Sequence, residues 1–364
     1  MKSLNKLGKI IVGLSGGVDS SVATLMLLEQ GYEIEALFMK NWDEDDKDGH
    51  CTAEQDLSDA QKVADKLGVK LHSINFSADY WGDVFEHFLQ EHKKGRTPNP
   101  DVLCNQKIKF KVFLEHALSL GADKIATGHY ARITHNNNSY QLKTGLDDNK
   151  DQSYFLHLLN QEQLSKSLFP LGEISKTEVR ELARKHDLIT ADKKDSTGIC
   201  FIGERNFSEF LQTYLPKKQG KIIDEQGKFI KHHQGLAFYT IGQRKGLEIG
   251  GGFSDSPAPW FVADKRIDSN EILVVQGDHK LLYHNTLTTS NLHWIDIQPE
   301  IPFSCVAKIR YRQDSQECSV MKDGNSLKVI FKNPQRAITP GQSIVFYQED
   351  TCLGGGIIEQ RSNE

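Results

Sequence analysis

Two rhythms of apolar and polar positions divide the chain. Over the first 200 residues, short apolar runs at 9–14, 34–39, 69–76 and 124–127 read as strands. Between them lie helical stretches: 20–30, ended by Gly31, and one carrying Leu57, Ala60, Val63, Ala64 and Leu67 on a single face, closed by Gly68. Further helices are expected at 84–92 and 107–120, and Ser175 with Glu178 forms a capping box opening a helix over 177–186. Strands separated by helices imply crossover connections, hence an α/β fold with a mostly parallel sheet covered on both faces.

The rhythm changes after about residue 205. Segments 221–224 and 228–231 flank Glu225-Gln226-Gly227, the pattern of a hairpin in a small central unit. From about residue 280, short alternating segments at 305–312, 317–321, 327–331, 343–347 and 353–358 predict a C-terminal β-barrel. The expected division is therefore 1–205, 206–279 and 280–364.

Composition narrows the function class. The 364 residues include 44 basic and 49 acidic side chains, net −5, which excludes coating nucleic acid by bulk charge but allows a local basic surface. No apolar run approaches the ~20 residues of a membrane-spanning helix. The run at 10–14 lacks the length and the cleavage site of a secretory signal. The cysteines, at 51, 104, 200, 305, 318 and 352, form no CxxC pair, so neither a disulfide scaffold nor a zinc site is indicated. A reducing, cytoplasmic compartment is the expectation. His232-His233 lack spaced partners and read as hairpin polarity rather than a metal pair.

Ser15-Gly16-Gly17-Val18-Asp19-Ser20-Ser21 falls between the first strand and the first helix. Glycines there let backbone N–H groups face outward as an anion cradle, and the helix adds its positive end. The ending Gly-Lys-Ser/Thr and the spacing GxGxxG are both missing, so this is neither a Walker loop nor a dinucleotide fingerprint. A plain glycine turn with Ser and Asp caps is the alternative.

Two cysteines stand in unusual settings. Cys104 follows Thr97-Pro98-Asn99-Pro100-Asp101, whose prolines predict an extended path before a helix beginning near Lys107. A helix N-terminus with Lys107 and Lys109 nearby would favour a thiolate. Taken alone, Cys104 fits better as a small buried residue at a helix start. Cys200 lies between Gly198 and Gly203, which suits a carrier facing two partners as readily as a packed loop thiol.

The loop resembles the SGGxDS pyrophosphate loop (PP-loop) of the ATP pyrophosphatase superfamily. Together with Asn99-Pro100-Asp101-Val102-Leu103-Cys104-Asn105, Lys150-Asp151-Gln152-Ser153-Tyr154 and Gly198-Ile199-Cys200-Phe201, it is similar to the tRNA-specific 2-thiouridylase (MnmA) family. Phe38-Met39-Lys40-Asn41-Trp42, Thr127-Gly128-His129-Tyr130, Gly242-Gln243-Arg244-Lys245-Gly246 and Arg310-Tyr311-Arg312-Gln313 extend the resemblance from end to end.

That resemblance implies an N-terminal adenine-nucleotide α-hydrolase-like PP-loop domain, a central tRNA-contacting domain and a C-terminal β-barrel. It implies ATP bound by Gly13, Leu14, Ser15, Gly16, Gly17, Val18, Asp19 and Ser20, with Met39 and Gly128 at the adenosine and magnesium expected with the nucleotide. Asn99, Pro100 and Asp101 would contact the wobble uridine; His129, Lys150, Asp151, Gln152, Arg310, Tyr311 and Gln342 would touch the rest of the tRNA. Cys104 would be the nucleophile and Cys200 the persulfide carrier, the two ending as a disulfide that needs a reductant. Cys104 would either free sulfide from the persulfide or help deliver it to the ring. The sulfur donor would be a cysteine desulfurase or a relay protein. Asp101 is the expected group for proton transfer with the activated base.

The RNA side also has its own signal. Lys308, Arg310 and Arg312 alternate in an expected strand and would share one face, while Lys93, Lys94, Arg96, Lys107, Lys109 and Lys111 form a second basic stretch. Each cluster alone reads slightly better as a solvated charged face. An amidotransferase-type synthetase or a lysidine-forming ligase would need no Cys104/Cys200 pair, and a non-catalytic RNA-binding module would need no intact nucleotide loop.

Overall fold

The computed structural model describes residues 7–42, 52–136, 139–195, 207–250, 253, 256–324 and 326–363. In the first half, β1 (Lys9–Gly13), β2 (Glu33–Lys40), β3 (Lys70–Asn75) and β4 (Lys124–Ala126) are parallel strands. β5 (Ala131–Asn136) and β6 (Ser139–Thr144) form an antiparallel hairpin, and the short β7 (Ser167–Leu168) completes the parallel sheet in the order β3-β2-β1-β4-β7. Both faces are covered, as their sequence requires. Ile10, Val12, Ala36 and Phe38 join one apolar cluster with Ala60 and Val63 of α2 (Thr52–Leu67), whereas Ile11 and Leu37 join another with Phe110 and Phe113.

The sheet order reverses at β1, whose neighbours are β2 on one side and β4 on the other. Such a reversal opens a crevice beyond the carboxyl ends of those strands, the usual ligand position in open α/β sheets. The glycine-rich loop leaves β1 at this point and runs into α1 (Val18–Glu29).

One helix begins earlier than its sequence suggested. Asn99 is the N-cap, its side chain accepting from the Asp101 amide, and Pro100 occupies the first helical turn. The helix then continues through a π-helical stretch, Cys104–Val112, into Phe113–Ser119. Proline at the first helical position is pre-shaped for the helix and gives up only an amide that would be unpaired anyway. Cys104 therefore lies one turn inside the helix rather than in a loop before it.

The central part holds β8 (Gly220–Ile223), β9 (Phe229–His233), β10 (Trp260–Arg266) and β11 (Glu271–Gln276), in the order β10-β11-β8-β9 around Ile222, Ile230, Val262, Ile272 and Val274. β8 and β9 form the expected hairpin. His232 Nδ1 and His233 Nε2 each lie 3.1 Å from a carbonyl oxygen, of Gly220 and Asn270 respectively.

The C-terminal part comprises β12 (Tyr283–Trp294), β13 (Phe303–Lys308), β14 (Gln316–Asp323), β15 (Ser326–Arg336), β16 (Ser343–Gln348) and β17 (Thr351–Ser362). Their order β12-β15-β14-β13-β16-β17 closes through a β12–β17 pairing into a barrel. β17 also pairs with β6, so a hairpin from the first half extends the barrel sheet.

The expected alternation of Lys308, Arg310 and Arg312 does not exist. β13 ends at Lys308, and the chain turns there: the Ile309 amide donates to Gln313 Oε1 at 2.9 Å, and Arg312 has φ +63°. Lys308 points inward to Asp151, 3.2 Å away, and over the Tyr347 ring, whereas Arg310 and Arg312 are exposed.

Candidate active site

The loop after β1 is built to expose its amides. Gly17 caps α1 with no side-chain acceptor, so the first-turn N–H groups are not consumed by a cap. Ser20 and Ser21 instead donate back to the Gly17 carbonyl, at 3.2 and 2.8 Å, which fixes the turn. Gly16 has φ +73°, and a Cβ there would lie 2.3 Å from the Asp56 carbonyl oxygen, so only glycine fits against α2. Gly128, just beyond β4, approaches α1 equally closely: a Cβ would meet the Ser20 nitrogen at 2.8 Å. The two strand ends at the sheet reversal thus converge on the uncapped end of one 12-residue helix. The Met39 methyl lies 3.3 Å from where a Gly13 side chain would begin, bringing β1 and β2 together on the adjoining side.

Lysines surround this loop, and sequence reasoning missed two of them, Lys176 and Lys193. Lys176 Nζ contacts both Asp19 oxygens, at 2.7 and 2.8 Å, and Asp195 at 2.8 Å; Tyr130 donates its hydroxyl to Asp19 at 2.6 Å. Lys150 and Arg180 also pair with Asp195, at 2.7 and 2.9 Å. Burial alone would raise the Asp195 pKa, but the hydrogen bonds from Lys150 and Lys176 hold it down to about 2. Lys193 Nζ joins the Gly16 carbonyl to Asp56 and Asp59, at 2.9, 2.8 and 2.7 Å. Burial works against that ammonium, yet Asp56 and Asp59 outweigh it and keep its pKa above the usual lysine value. The only sequence signal was position: Lys176 opens a capped helix, and Lys193 shortly precedes Cys200.

The Cys104 helix packs against the same crevice. Phe113 lies 3.3 Å from the Gly13 Cβ position, and Phe110 packs 5.8 Å from the His129 ring, next to Gly128. His129 is buried, with Nδ1 2.7 Å from Thr127 Oγ1; burial, then Lys109, push its pKa well below the ordinary histidine value, so the ring is neutral. Burial raises the Asp101 carboxyl, with Lys109 opposing. Lys109 thus acts electrostatically on both Asp101 and His129. Cys104 is buried at 1% exposure, and the neighbouring Asn105 donates to the Phe155 carbonyl at 3.3 Å.

Several expected tRNA-facing residues hold the parts of the chain together. Asp151 is buried, accepting from the Gly145 and Ser153 amides and pairing with Lys308 of the barrel. Gln152 pairs with Tyr130 through its backbone amide and its Oε1, at 2.8 and 3.0 Å. Gln342 donates to the Thr97 carbonyl at 2.8 Å, docking the turn before Asn99 on the barrel. Tyr311 packs on Phe155 at 4.5 Å, and Arg310 donates to the Arg336 carbonyl. Cys200 lies outside the described residues.

Family models match nearly the whole chain: a tRNA methyl transferase HUP domain over residues 8–204, a tRNA methyl transferase PRC-barrel domain over 208–276 and an aminomethyltransferase β-barrel domain over 284–358. The tRNA-specific 2-thiouridylase MnmA of Ruthia magnifica is 75% identical over 99% of this chain and 100% of its own length. The chain belongs to the tRNA-specific 2-thiouridylase family. Its Pseudomonas aeruginosa counterpart is 57% identical over 96% of this chain and 94% of its own. The descriptions of the first and the PRC-barrel models speak of methyl transfer, whereas these thiouridylase relatives align over 94% or more of their own lengths. As a 2-thiouridylase, the chain carries an N-terminal parallel-sheet HUP domain, a PRC-barrel and a C-terminal β-barrel.

Proposed function

We propose that this chain catalyses ATP-dependent 2-thiolation of the wobble uridine of tRNA, by adenylation of uridine O2 and transfer of persulfide sulfur. The observation that carries the proposal is the meeting of the uncapped α1 N-terminus, Gly128 and the Cys104 helix at one crevice. A triphosphate fits the cradle, since no side chain caps the first-turn amides of α1 and three lysines border it. Its described carboxylates, Asp19, Asp56, Asp59 and Asp195, are all paired with lysines. Magnesium would therefore be carried by the phosphates and water, where it would neutralise charge on the departing pyrophosphate.

The uracil O2 attacks the α-phosphorus of ATP, pyrophosphate leaves, and the loop amides stabilise the charge that develops on it. An amide-like oxygen, a poor leaving group, becomes an AMP ester. The Cys104 thiolate then attacks the inner sulfur of the Cys200 persulfide, giving a Cys104–Cys200 disulfide and releasing hydrosulfide. Hydrosulfide adds at C2, and AMP departs with the old oxygen. Asn99, Pro100 and Asp101 hold the base, and Asp101 exchanges its proton. Arg310, Tyr311 and Lys150 grip the rest of the tRNA. The sulfur arrives from a desulfurase or relay protein in the cytoplasm.

A Cys104→Ser variant tests the order of steps. It should release pyrophosphate from ATP only when unmodified tRNA is present and accumulate adenylated tRNA without thiouridine. Loss of tRNA-dependent pyrophosphate release in a folded variant would contradict the assignment of Cys104 to the sulfur step.

A further inference from the structure

The barrel holds a second pair of thiols that the thiolation chemistry does not use. Cys305 of β13 stands directly opposite Cys318 of β14, and their sulfurs are 3.7 Å apart. Opposed residues in an antiparallel pair have Cα atoms about 4.5 or 5.5 Å apart, both inside the range a disulfide spans. The sulfurs need approach by only about 1.7 Å to reach bonding distance, which small side-chain rotations supply. The two thiols differ in access: Cys305 is partly exposed, whereas Cys318 is 5% exposed and packs among Val320, Phe331 and Ala307 in the barrel core.

We propose that Cys305 and Cys318 form an oxidisable dithiol, closed by hydroperoxides into a cross-strand disulfide and reopened by thiols. The partly exposed Cys305 thiolate attacks the peroxide oxygen and the O–O bond breaks, giving a sulfenic acid and hydroxide or alkoxide, which takes a proton from solvent. The Cys318 sulfur then attacks the Cys305 sulfur; its proton leaves with the sulfenic hydroxyl as water, and the disulfide remains. Both electrons come from the thiol pair, and the peroxide is reduced. A thiol reductant returns them by exchange through a mixed disulfide. Hydrogen bonding with Cys305, then burial, raise the Cys318 pKa, which fits it to the resolving rather than the attacking role. The third barrel thiol, Cys352, is fully enclosed and raised by burial, so it does not compete.

The staple brackets the turn after β13 that carries Arg310 and Tyr311, and it ties the strand ending at Lys308 to its neighbour. Closing this loop restricts the unfolded barrel more than the folded one.

The test uses the full chain carrying Cys104→Ser and Cys200→Ser, so that the sulfur-transfer pair cannot contribute. Treatment with hydrogen peroxide followed by maleimide labelling and peptide mass mapping should show two fewer labelled thiols and one crosslinked 305–318 peptide. Dithiothreitol should restore both thiols, and adding Cys318→Ala should abolish the crosslink. The oxidised protein should unfold at higher denaturant than the reduced one. Should the double background fail to fold, mapping wild-type protein reads the same crosslink by mass. Full labelling of both cysteines after peroxide, or conversion of Cys305 to sulfinic acid without a crosslink, would overturn the proposal.

Discussion

The Lys193 ammonium donates to the Gly16 carbonyl at 2.9 Å, joining positions 177 residues apart. The same group binds Asp56 and Asp59 of α2, so one lysine ties the nucleotide loop to that helix. Replacing it by methionine frees the loop and leaves Asp59 without its strongest partner. Lys193→Met should weaken ATP binding about tenfold, equivalent to roughly 1.4 kcal/mol, as read by titration calorimetry without tRNA. An unchanged ATP affinity would remove Lys193 from the account.

Asp101 is the proposed proton-transfer group, and burial raises its carboxyl above the ordinary aspartate value. As an acceptor it must be ionised, so the thiolation rate should fall on the acid side at a pH above that value. Asp101→Asn should lower kcat by about 100-fold or more while leaving ATP affinity intact. Wild-type turnover in this variant would refute the role.

The first part of the chain was legible because its signals are local. Apolar runs at the first and second strands survive as parallel strands, since burial on both faces needs no more than continuous apolar sequence. The loop at 15–21 was legible for the same reason: it lies between one strand and one helix. Sequence misjudged the start of the Cys104 helix because its two prolines were weighed as extended chain, although Asn99 followed by Pro100 is itself a helix-start signal. The turn of Lys308 toward Asp151 was not legible, because it depends on a partner 157 positions away. Nor was the β5–β6 hairpin joining β17, a pairing between distant parts of the chain.

That Lys308–Asp151 pair connects the barrel to the segment following β6, and both side chains are shielded, at 16% and 3% exposure. Removing either partner strands the other charge. Lys308→Met or Asp151→Asn alone should cost roughly 3 kcal/mol of stability in urea unfolding, and the double variant clearly less than the sum. Additive losses would mean that the two charges do not depend on each other.

Acid should loosen the fold in a defined window. Burial lowers His92 to about 4, despite its bond to the Ala237 carbonyl, and His157 to about 4, despite its bond to the Tyr154 carbonyl. Both values lie below the unfolded value near 6.5, so the unfolded chain binds these protons first. Their contribution is complete above pH ~6.5 and is lost as pH falls to ~4, on the order of 3 kcal/mol for each ring. Urea midpoints measured at pH 7.5 and pH 4.5 should therefore differ, with the lower stability at 4.5. His157→Gln should reduce the difference, and a flat profile in the wild type would contradict the assignment.

The central claim is that one crevice both adenylates a tRNA uridine and replaces its oxygen with sulfur. The direct measurement is incubation of the purified protein with ATP, magnesium, a sulfide source and an unmodified tRNA transcript, followed by mass spectrometry of the nucleosides. The account predicts 2-thiouridine at the wobble position, with AMP and pyrophosphate released in step with it and none without tRNA. Absence of thiouridine under these conditions, or AMP release indifferent to tRNA, would contradict it.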